Sequence, residues 1–194
     1  PNKNKIQRFS EMRFGVIGLG RIGTSVALKA KALGFGVHFY DPYLSNGVDK
    51  SLGVSRIKNF DDFLAVTDVI SINCPLTEET HHMITNKEID KMQKNAFIIN
   101  TARGPIIKKK DLFAALKKHK IAGAALDVIE DEPLKTKAEA KTPNLIVTCH
   151  SGFYSLQAAW EMRHKAAAQA RNMIEGGEIE NCVNCNNLPR NFVK

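Results

Sequence analysis

The sequence predicts an α/β fold in which helices cover both faces of a doubly wound parallel sheet. Three observations support this prediction. Short, mostly apolar runs of strand length recur along the chain, segments with helical periodicity separate them, and glycine, proline or polar residues end each run. Strands that alternate with helices in this way form parallel sheets, and such strands are nearly all apolar because both of their faces are covered.

The predicted elements follow one another without an internal repeat. The first helix runs from Arg21 to about Leu33 and ends before Gly34, since glycine readily adopts the left-handed backbone of a helix terminus. The strands are FGVIG (14–18), GVHFYDP (36–42), TDVISINCP (67–75), NAFIINTARG (95–104), IAGAALDVI (121–129) and PNLIVTCH (143–150). The other helices are 61–66, 86–92, 109–119 and a long one from Tyr154 to about Glu175.

Length and composition exclude several classes of protein. The chain has 194 residues, of which 43% are hydrophobic and 25% charged, so it carries enough apolar surface for a globular core. No apolar run approaches the roughly 20 residues of a membrane span, and the N-terminus lacks the apolar stretch of a signal peptide. Four cysteines are too few for a disulfide scaffold. We therefore expect an intracellular protein without membrane contact.

The net charge of +8 raises the question of an anionic partner. The lysines occur in scattered short groups without the interleaved aromatic residues on which bases stack. We interpret them as solvated surface and expect no direct contact with nucleic acid. The groups are Lys108–Lys110, Lys117–Lys120 and Lys135–Lys141.

The sharpest motif is the glycine-rich run GLGRIG at 18–23, which closes the first strand and opens the first helix. Gly18 permits a tight turn, Gly20 lets a pyrophosphate approach backbone N–H groups, and Gly23 lets helix pack on strand. The helix N-terminus supplies partial positive charge. Asp41 ends the next strand, where it would accept hydrogen bonds from ribose hydroxyls and repel a 2′-phosphate. The sequence therefore predicts a Rossmann domain that prefers NAD(H) to NADP(H).

Candidate functional residues stand where the predicted strands end. In an open α/β sheet, ligands bind outside the carboxyl ends of the strands, which share one edge of the sheet. We therefore expect these residues to converge on a bound nicotinamide cofactor. They are 18–23, Asp41, Cys74-Pro75, Thr101-Ala102-Arg103, 127–132 and His150.

Three of these residues suit hydride transfer between an alcohol and nicotinamide. His150 could exchange the hydroxyl proton near neutral pH, and Glu132 could hold the far imidazole nitrogen. Arg103 could grip a substrate carboxylate with its planar guanidinium. Taken singly, Glu132 could equally be an exposed loop acid and Arg103 a salt-bridge partner at a helix end. Their joint placement favours a catalytic set.

The runs VIGLGRIG, NTARG, AALDVIEDEP and TCHSGFYS resemble the NAD-binding domain of the D-isomer-specific 2-hydroxyacid dehydrogenases. Within that family, FYDPYLSNGV, HHMI after CPLTEET, FYS after the histidine and NCVN are similar to the C-terminal binding proteins, an NAD(H)-sensing corepressor branch. The resemblance runs from about Lys5 to Val183. Because the chain most resembles that branch, we expect a protein of the C-terminal binding protein type that retains hydride transfer and acts as a corepressor. The alternative is a purely metabolic dehydrogenase of the glycerate, lactate or glyoxylate type.

The resemblance implies a full set of site residues and partners. Arg103, Glu132 and His150 would be catalytic, and no residue would bind a metal. It also implies a homodimer formed through this domain, a small 2-keto or 2-hydroxy acid as substrate, and, for a corepressor, transcription-factor peptide motifs and a nuclear or cytoplasmic location. Cofactor contacts would come from Gly18, Gly20, Arg21, Ile22, Gly23, Asp41, Cys74, Pro75, Leu76, Thr77, Thr80, Thr101, Ala102, Arg103, Asp127, His150 and Phe153.

We expect four segments in the chain. Residues 1–13 would link to an N-terminal part of a longer protein, 14–153 would form the NAD-binding domain, 154–177 a long C-terminal helix and 178–194 a tail. Relatives carry a second domain that forms the other wall of the cleft. A one-walled cleft neither excludes water nor orients a substrate, so we expect this chain alone to bind cofactor weakly and to turn over little.

Two further patterns are set aside. Cys182 and Cys185 form a C-x-x-C without a second pair at metal-site spacing, and they lie in an Asn-rich tail instead of at a helix start. The adjacent His81 and His82 follow CPLTEET, and we interpret them as a loop feature instead of a ligand pair.

Overall fold

One parallel sheet organises the chain up to His150 in the computed structural model, which describes residues 7–177. The strand order is β3-β2-β1-β4-β5-β6-β7, the doubly wound order of dinucleotide-binding domains extended by one strand. From β1 the chain adds β2 and β3 on one side, and it then returns to add β4 and the later strands on the other side. A ligand crevice forms between β1 and β4, where this order reverses. The strands are β1 (Arg13–Ile17), β2 (Gly36–Tyr40), β3 (Ser55–Arg56), β4 (Val69–Ile72), β5 (Phe97–Asn100), β6 (Gly123–Leu126) and β7 (Leu145–Val147).

Helices cover both faces of this sheet. They are α1 (Arg21–Ala32), α2 (Val48–Leu52), α3 (Phe60–Val66), α4 (Asn86–Ile89), α5 (Lys109–Lys117) and α6 (Lys137–Ala140), with short 3-10 turns at Phe9–Glu11 and Gly104–Ile106. One apolar cluster joins Ala27 and Ala30 of α1 to β1 and β2. The other joins Phe63 of α3 and Leu112 and Leu116 of α5 to β4, β5 and β6. The predicted fold class is confirmed.

The described residues divide into two compact units, one that ends at His150 and one that begins at Ser151. The second unit contains α7 (Leu156–Ile174), which begins where the hydroxyl of Ser155 accepts a hydrogen bond from the N–H of Ala158. The predicted tail and its C-x-x-C pair lie outside the described residues. Within residues 7–177, no helix combines the length and apolar character that crossing a bilayer requires.

The structure corrects the sequence-based elements in two ways. The elements α2, β3 and α6 were not predicted, because each is too short and too polar to show periodicity. A signal existed for α6, since Thr136 and Glu139 form a capping box. The expectation that strands are covered on both faces is wrong for β7, an edge strand whose Ile146 is 66% exposed.

Candidate functional site

The glycine-rich turn between β1 and α1 is shaped by close approaches of the backbone. Gly18 adopts a φ of +82°, a left-handed conformation that favours glycine. A Cβ atom on Gly23 would lie 2.0 Å from the carbonyl oxygen of Gly18, so only glycine lets α1 pack against the turn. A Cβ on Gly20 would meet nothing within 4 Å. Packing within the protein therefore does not require glycine at position 20, whereas close approach of a ligand to the backbone would.

The N-terminus of α1 is suited to binding a phosphate. Gly20 precedes the helix and provides no side-chain cap, and the first turn contains no acidic residue. The backbone N–H groups of this turn and the positive end of the helix dipole therefore face the ligand side. Arg21 and Ile22 are exposed there, with Ile22 exposed by 68%.

A cavity of about 690 Å³ extends from this turn along the edge of the sheet. Its walls include six predicted cofactor residues besides Gly18, while Leu76 lies outside the lining with a 40% exposed side chain. The cavity also reaches residues that the sequence analysis missed, among them Tyr43 and Glu79, whose hydroxyl and carboxylate form a hydrogen bond. The six predicted residues are Gly20, Asp41, Cys74, Pro75, Thr77 and Thr80.

Asp41 is held at the mouth of this cavity by the backbone on both sides. Its Oδ2 accepts a hydrogen bond from the N–H of Leu19 at 2.9 Å, and its Oδ1 accepts one from the N–H of Tyr43 at 3.0 Å. The carboxylate is therefore fixed beside the glycine-rich turn, where a ribose would lie if the pyrophosphate occupied the α1 N-terminus. Each carboxylate oxygen can accept a second hydrogen bond from a ribose hydroxyl.

The loop that follows β4 forms a stable wall of the cavity. The hydroxyl of Thr80 donates to the carbonyl of Pro75 at 2.7 Å and accepts from the N–H of Thr77 at 2.7 Å. Burial raises the pKa of the Cys74 thiol to about 11. At neutral pH this thiol is uncharged, and it contributes an apolar surface instead of a nucleophile.

The turn that carries Arg103 is organised by a fully buried amide. Asn100 ends β5, accepts a hydrogen bond from the N–H of Ala102 and donates one to the carbonyl of Arg103, both at 3.0 Å. A Cβ on Gly104 would lie 2.1 Å from the carbonyl carbon of Ile129, so this turn packs tightly on the loop after β6. Arg103 and Thr101 are exposed, and the guanidinium donates to the carbonyl of Ala102 at 2.6 Å. The sequence analysis missed the roles of Asn100 and Gly104.

Glu132 and His150 form a hydrogen-bonded pair. The Nδ1 atom of His150 lies 2.9 Å from Oε2 of Glu132, whose Oε1 accepts a hydrogen bond from the N–H of Ile129 at 3.0 Å. The hydrogen bond with His150 holds the pKa of Glu132 below its ordinary value, so the carboxylate is ionised and Nδ1 donates. His150 has a φ of +54°, a costly conformation for a side chain of this size.

Asp127, which directly follows β6, is buried. Its Oδ1 accepts a hydrogen bond from the hydroxyl of Thr148, which follows β7. Phe153 belongs to the second unit, and its contact with the cofactor stays a prediction.

Most of the predicted site residues fall into two groups; the exceptions are Arg21, Ile22, Gly23, Leu76 and Phe153. The first group lines the cavity beside the glycine-rich turn. The second lies outside the cavity lining, on loops that follow β5, β6 and β7 at the same edge of the sheet: Thr101, Ala102, Arg103, Asp127, Glu132 and His150.

Comparison with known proteins identifies the family. The family model described as "D-isomer specific 2-hydroxyacid dehydrogenase, NAD binding domain" matches residues 1–152. The chain is 41% identical over 176 residues to D-3-phosphoglycerate dehydrogenase of Methanocaldococcus jannaschii, a match that covers 91% of this chain and 34% of that protein. It is 35% identical over 183 residues to C-terminal-binding protein 1 of Caenorhabditis elegans, covering 91% of this chain and 25% of that protein. The chain thus spans about a third or less of the length of these relatives.

Solved structures agree with this assignment. The NAD-complexed D-isomer specific 2-hydroxyacid dehydrogenase from Lactobacillus delbrueckii ssp. bulgaricus matches with a TM-score of 0.83 and 30% identity, over 95% of this chain and 60% of that one. D-lactate dehydrogenase from Aquifex aeolicus, complexed with NAD and lactic acid, matches with a TM-score of 0.79 and 31% identity, over 88% of this chain and 55% of that one. The glycine-rich turn, the fixed aspartate and these matches together show that the chain belongs to the D-isomer-specific 2-hydroxyacid dehydrogenase family, as its NAD-binding domain.

Proposed function

We propose that this domain serves an NAD(H)-dependent oxidoreductase that interconverts a small D-2-hydroxy acid and the corresponding 2-keto acid. The observation that carries the proposal is the His150–Glu132 pair, which lies at the same sheet edge as the glycine-rich turn. A proton-transfer residue and a cofactor-binding turn are the two parts that such a reaction requires on one edge. The names of the relatives support the substrate class.

His150 would exchange the proton of the substrate hydroxyl. Since Glu132 accepts the hydrogen bond from Nδ1, Nε2 is the imidazole nitrogen that would take the proton during oxidation and return it during reduction. The carboxylate fixes the tautomer and stabilises the imidazolium that forms. Glu132 is itself oriented by the N–H of Ile129, which keeps the pair aligned.

Arg103 would bind the substrate carboxylate. Its guanidinium offers two parallel N–H donors, a geometry that matches a carboxylate and that a lysine cannot reproduce. The turn that carries it is fixed by Asn100 and by the close contact of Gly104 with Ile129. Bound NAD(H) supplies the hydride acceptor or donor, and the chain's residues bind, orient and move the proton.

Asp41 would make the site selective for NAD(H). Both of its oxygens are already fixed by backbone N–H groups, so the carboxylate cannot turn away from a 2′-phosphate. Repulsion between the two anions would disfavour NADP(H). Glu78 and Glu79 on the cavity lining add to the negative charge.

Turnover by the full-length protein tests the proposal. We expect oxidation of NADH with at least one of pyruvate, glyoxylate and phosphohydroxypyruvate, and a decrease of about 10²–10⁴-fold in kcat for His150→Gln, since this change removes the proton-transfer group. The Kd for NADH should stay within about twofold. Equal turnover by His150→Gln and wild type would contradict the role of His150.

A corepressor of the C-terminal binding protein type is the second candidate, favoured by the 35% identity to C-terminal-binding protein 1. Such a protein would dimerise through this domain in response to NAD(H) and would recognise transcription-factor peptides in the nucleus. Light scattering of the full-length protein with and without NADH, together with repression of a reporter to which it is tethered, tests this candidate. A monomer in both conditions and an unchanged reporter would refute it.

A further inference from the structure

Three potential metal ligands meet where the loop after β4 approaches the loop after β6. Each of His81, His82 and Glu130 contributes one ligand atom, and these three atoms all lie within 4.8 Å of one another. From the sequence, we interpret the two histidines as a loop feature because they follow CPLTEET. The fold supplies a third ligand, since Glu130 follows β6 and comes 48 residues after His82.

The two histidines are held in place by their backbones. The N–H of His82 donates to the carbonyl of Pro105 at 2.8 Å, and the N–H of His81 donates to the carbonyl of Thr77 at 2.9 Å. The imidazole rings are 4.0 Å apart between centroids and are tilted by 32°. His82 has a φ of +52°, a conformation that residues of this size adopt at a cost and that often marks functional sites.

Glu130 is oriented for a role as a ligand. Its Oε1 lies 2.6 Å from Nε2 of His82, and its Oε2 accepts a hydrogen bond from the backbone N–H of Lys109 at 3.1 Å. A metal-binding carboxylate is commonly held through its second oxygen in this way. The side chains of His82 and Glu130 are 29% and 24% exposed, and His81 is exposed, so an ion has access from solvent.

We propose that His81, His82 and Glu130 form a binding site for a divalent transition-metal ion of the zinc class. Two imidazole nitrogens and one carboxylate suit Zn²⁺, Co²⁺ or Ni²⁺, whereas Mg²⁺ and Ca²⁺ prefer oxygen ligands only. On a tetrahedral zinc ion with bonds of about 2.0–2.2 Å, neighbouring ligand atoms lie about 3.3 Å apart. Nε2 of His82 and Oε1 of Glu130, which lie 2.6 Å apart, would separate by about 0.7 Å, and the most distant pair of ligand atoms would approach by at most about 1.5 Å.

The fourth coordination position would face solvent, because His81 lies on the exposed side of the cluster. The site would therefore hold a water molecule or an external ligand there, as three-residue zinc sites do. Its three residues have no individual role in the proposed hydride transfer or in binding NAD(H), although Glu130 belongs to the segment 127–132 that also carries Glu132. The proposal therefore stands independently of the proposed function.

Calorimetric titration with ZnCl₂ tests this proposal. The full chain would carry Cys182→Ser and Cys185→Ser, so that the tail cysteines do not contribute. We expect binding of one ion with a Kd on the order of micromolar or tighter, and a loss of at least about tenfold in affinity for each of His81→Gln, His82→Gln and Glu130→Gln.

The second histidine–carboxylate pair of the domain provides a matched control. The double variant His150→Gln/Glu132→Gln removes an imidazole and a carboxylate that are paired in the same way and are more exposed, and it should bind zinc with the wild-type affinity. Zinc binding that is lost in this control, or that persists unchanged in His82→Gln and Glu130→Gln, would overturn the proposal.

Thermal unfolding provides a second measurement of zinc binding, independent of the calorimetric titration. Zinc should raise the Tm of the Cys182→Ser/Cys185→Ser chain because it binds the folded state, and the same zinc concentration should raise the Tm of that chain with Glu130→Gln by less, because the affinity is lower. A lower starting Tm for Glu130→Gln would report the weaker hydrogen bond with His82, while the zinc-dependent shift reports the metal. An equal shift in both proteins would refute the assignment of Glu130.

Discussion

The cofactor-binding turn and the catalytic pair are built on the same sheet edge by different means. The turn after β1 depends on glycines and backbone packing, with Gly23 fitted so closely against Gly18 that no side chain can be added. The pair of Glu132 and His150 joins two exposed side chains, 37% and 45% exposed, that come from loops 18 residues apart in the chain. The first region is fixed by the sterics of the core and the second by hydrogen bonds at the surface.

Affinity for the cofactor and the proposed proton transfer therefore depend on different kinds of interaction in this domain. A change at Gly23 should affect folding and cofactor binding together, because this residue packs α1 against the turn, whereas a change at Gly20 should affect cofactor binding alone. A change in Glu132 or His150 should affect the proposed proton transfer and leave the core intact. Four predictions challenge this distinction.

The largest effect on folding should come from Gly23→Ala. Because its Cβ would lie 2.0 Å from the carbonyl oxygen of Gly18, α1 must shift, and we expect a loss of about 3 kcal/mol or more in the free energy of unfolding. Gly20→Ala is the matched control, since its Cβ meets no protein atom, and it should unfold within about 0.5 kcal/mol of wild type. Urea denaturation measures both. Equal stability of the two variants would contradict the packing role of Gly23.

The next prediction concerns His38, a buried histidine on β2 that contrasts with the exposed His150. Burial, reinforced by the positive charge of Arg13, lowers the pKa of His38 to about 4, while Asp68 acts in the opposite direction. In the unfolded chain the pKa is about 6.5, so the unfolded state binds a proton that the folded state does not bind until about pH 4. The free energy of unfolding should therefore fall by about 3 kcal/mol as pH decreases from 6.5 to 4.

His38→Gln is the control for this pH dependence. The hydroxyl of Thr67 donates to the carbonyl of Phe63, so it accepts from Nε2–H of His38, and a glutamine amide can donate in the same direction without titrating. In urea denaturation, the free energy of unfolding of this variant should decrease much less between pH 6.5 and 4 than that of the wild type. A decrease as steep as that of the wild type would show that other groups cause it.

Glu132→Gln should affect catalysis without affecting the core. The amide keeps a hydrogen-bonding oxygen but no longer stabilises a protonated imidazole, so we expect kcat to fall by about 10–100-fold. The Kd for NADH should not change. The free energy of unfolding should fall by no more than about 1 kcal/mol, because the amide oxygen can accept from only one of His150 and Ile129. The kcat of the full-length protein measures the main effect, and an unchanged kcat would contradict the role of Glu132.

The smallest effect should come from Asp41→Asn. This change removes the charge and keeps the side-chain oxygen that accepts from Leu19, so we expect about a tenfold weaker Kd for NADH and a smaller preference over NADPH. Fluorescence titration with both nucleotides measures the two constants. If the preference for NADH over NADPH stayed the same, Glu78 and Glu79 or other residues would be what excludes the 2′-phosphate.

Local patterns account for most of what the sequence predicted correctly. The fold follows from apolar runs whose periodicity is visible within a few residues. The glycine-rich turn is a contiguous motif, and Asp41 follows from its position at the end of the next strand. The pairing of Glu132 with His150 could be predicted because both follow strands whose carboxyl ends share an edge, and because the two side chains have complementary chemistry.

The features that were missed depend on contacts between loops. Asn100 bonds the turn that carries Arg103, and Gly104 packs on Ile129, yet neither residue belongs to a periodic pattern. The contact of His82 with Glu130 joins the loops after β4 and β6, and it forms only because of the conformations that these two loops adopt. No spacing rule relates residues 48 positions apart in two irregular segments.

The most direct test of the account is a calorimetric titration of the chain with NADH, with NADPH in parallel. The central claim is that the turn after β1 holds NAD(H) through its backbone. We predict saturable binding of one NADH per chain, weaker binding of NADPH, and at least about tenfold weaker NADH binding by Gly20→Val, which places a side chain where the pyrophosphate would approach. The Cβ of this side chain meets no protein atom within 4 Å, so the Tm of the variant should stay close to that of the wild type. Equal NADH affinity of Gly20→Val and wild type would contradict the claim.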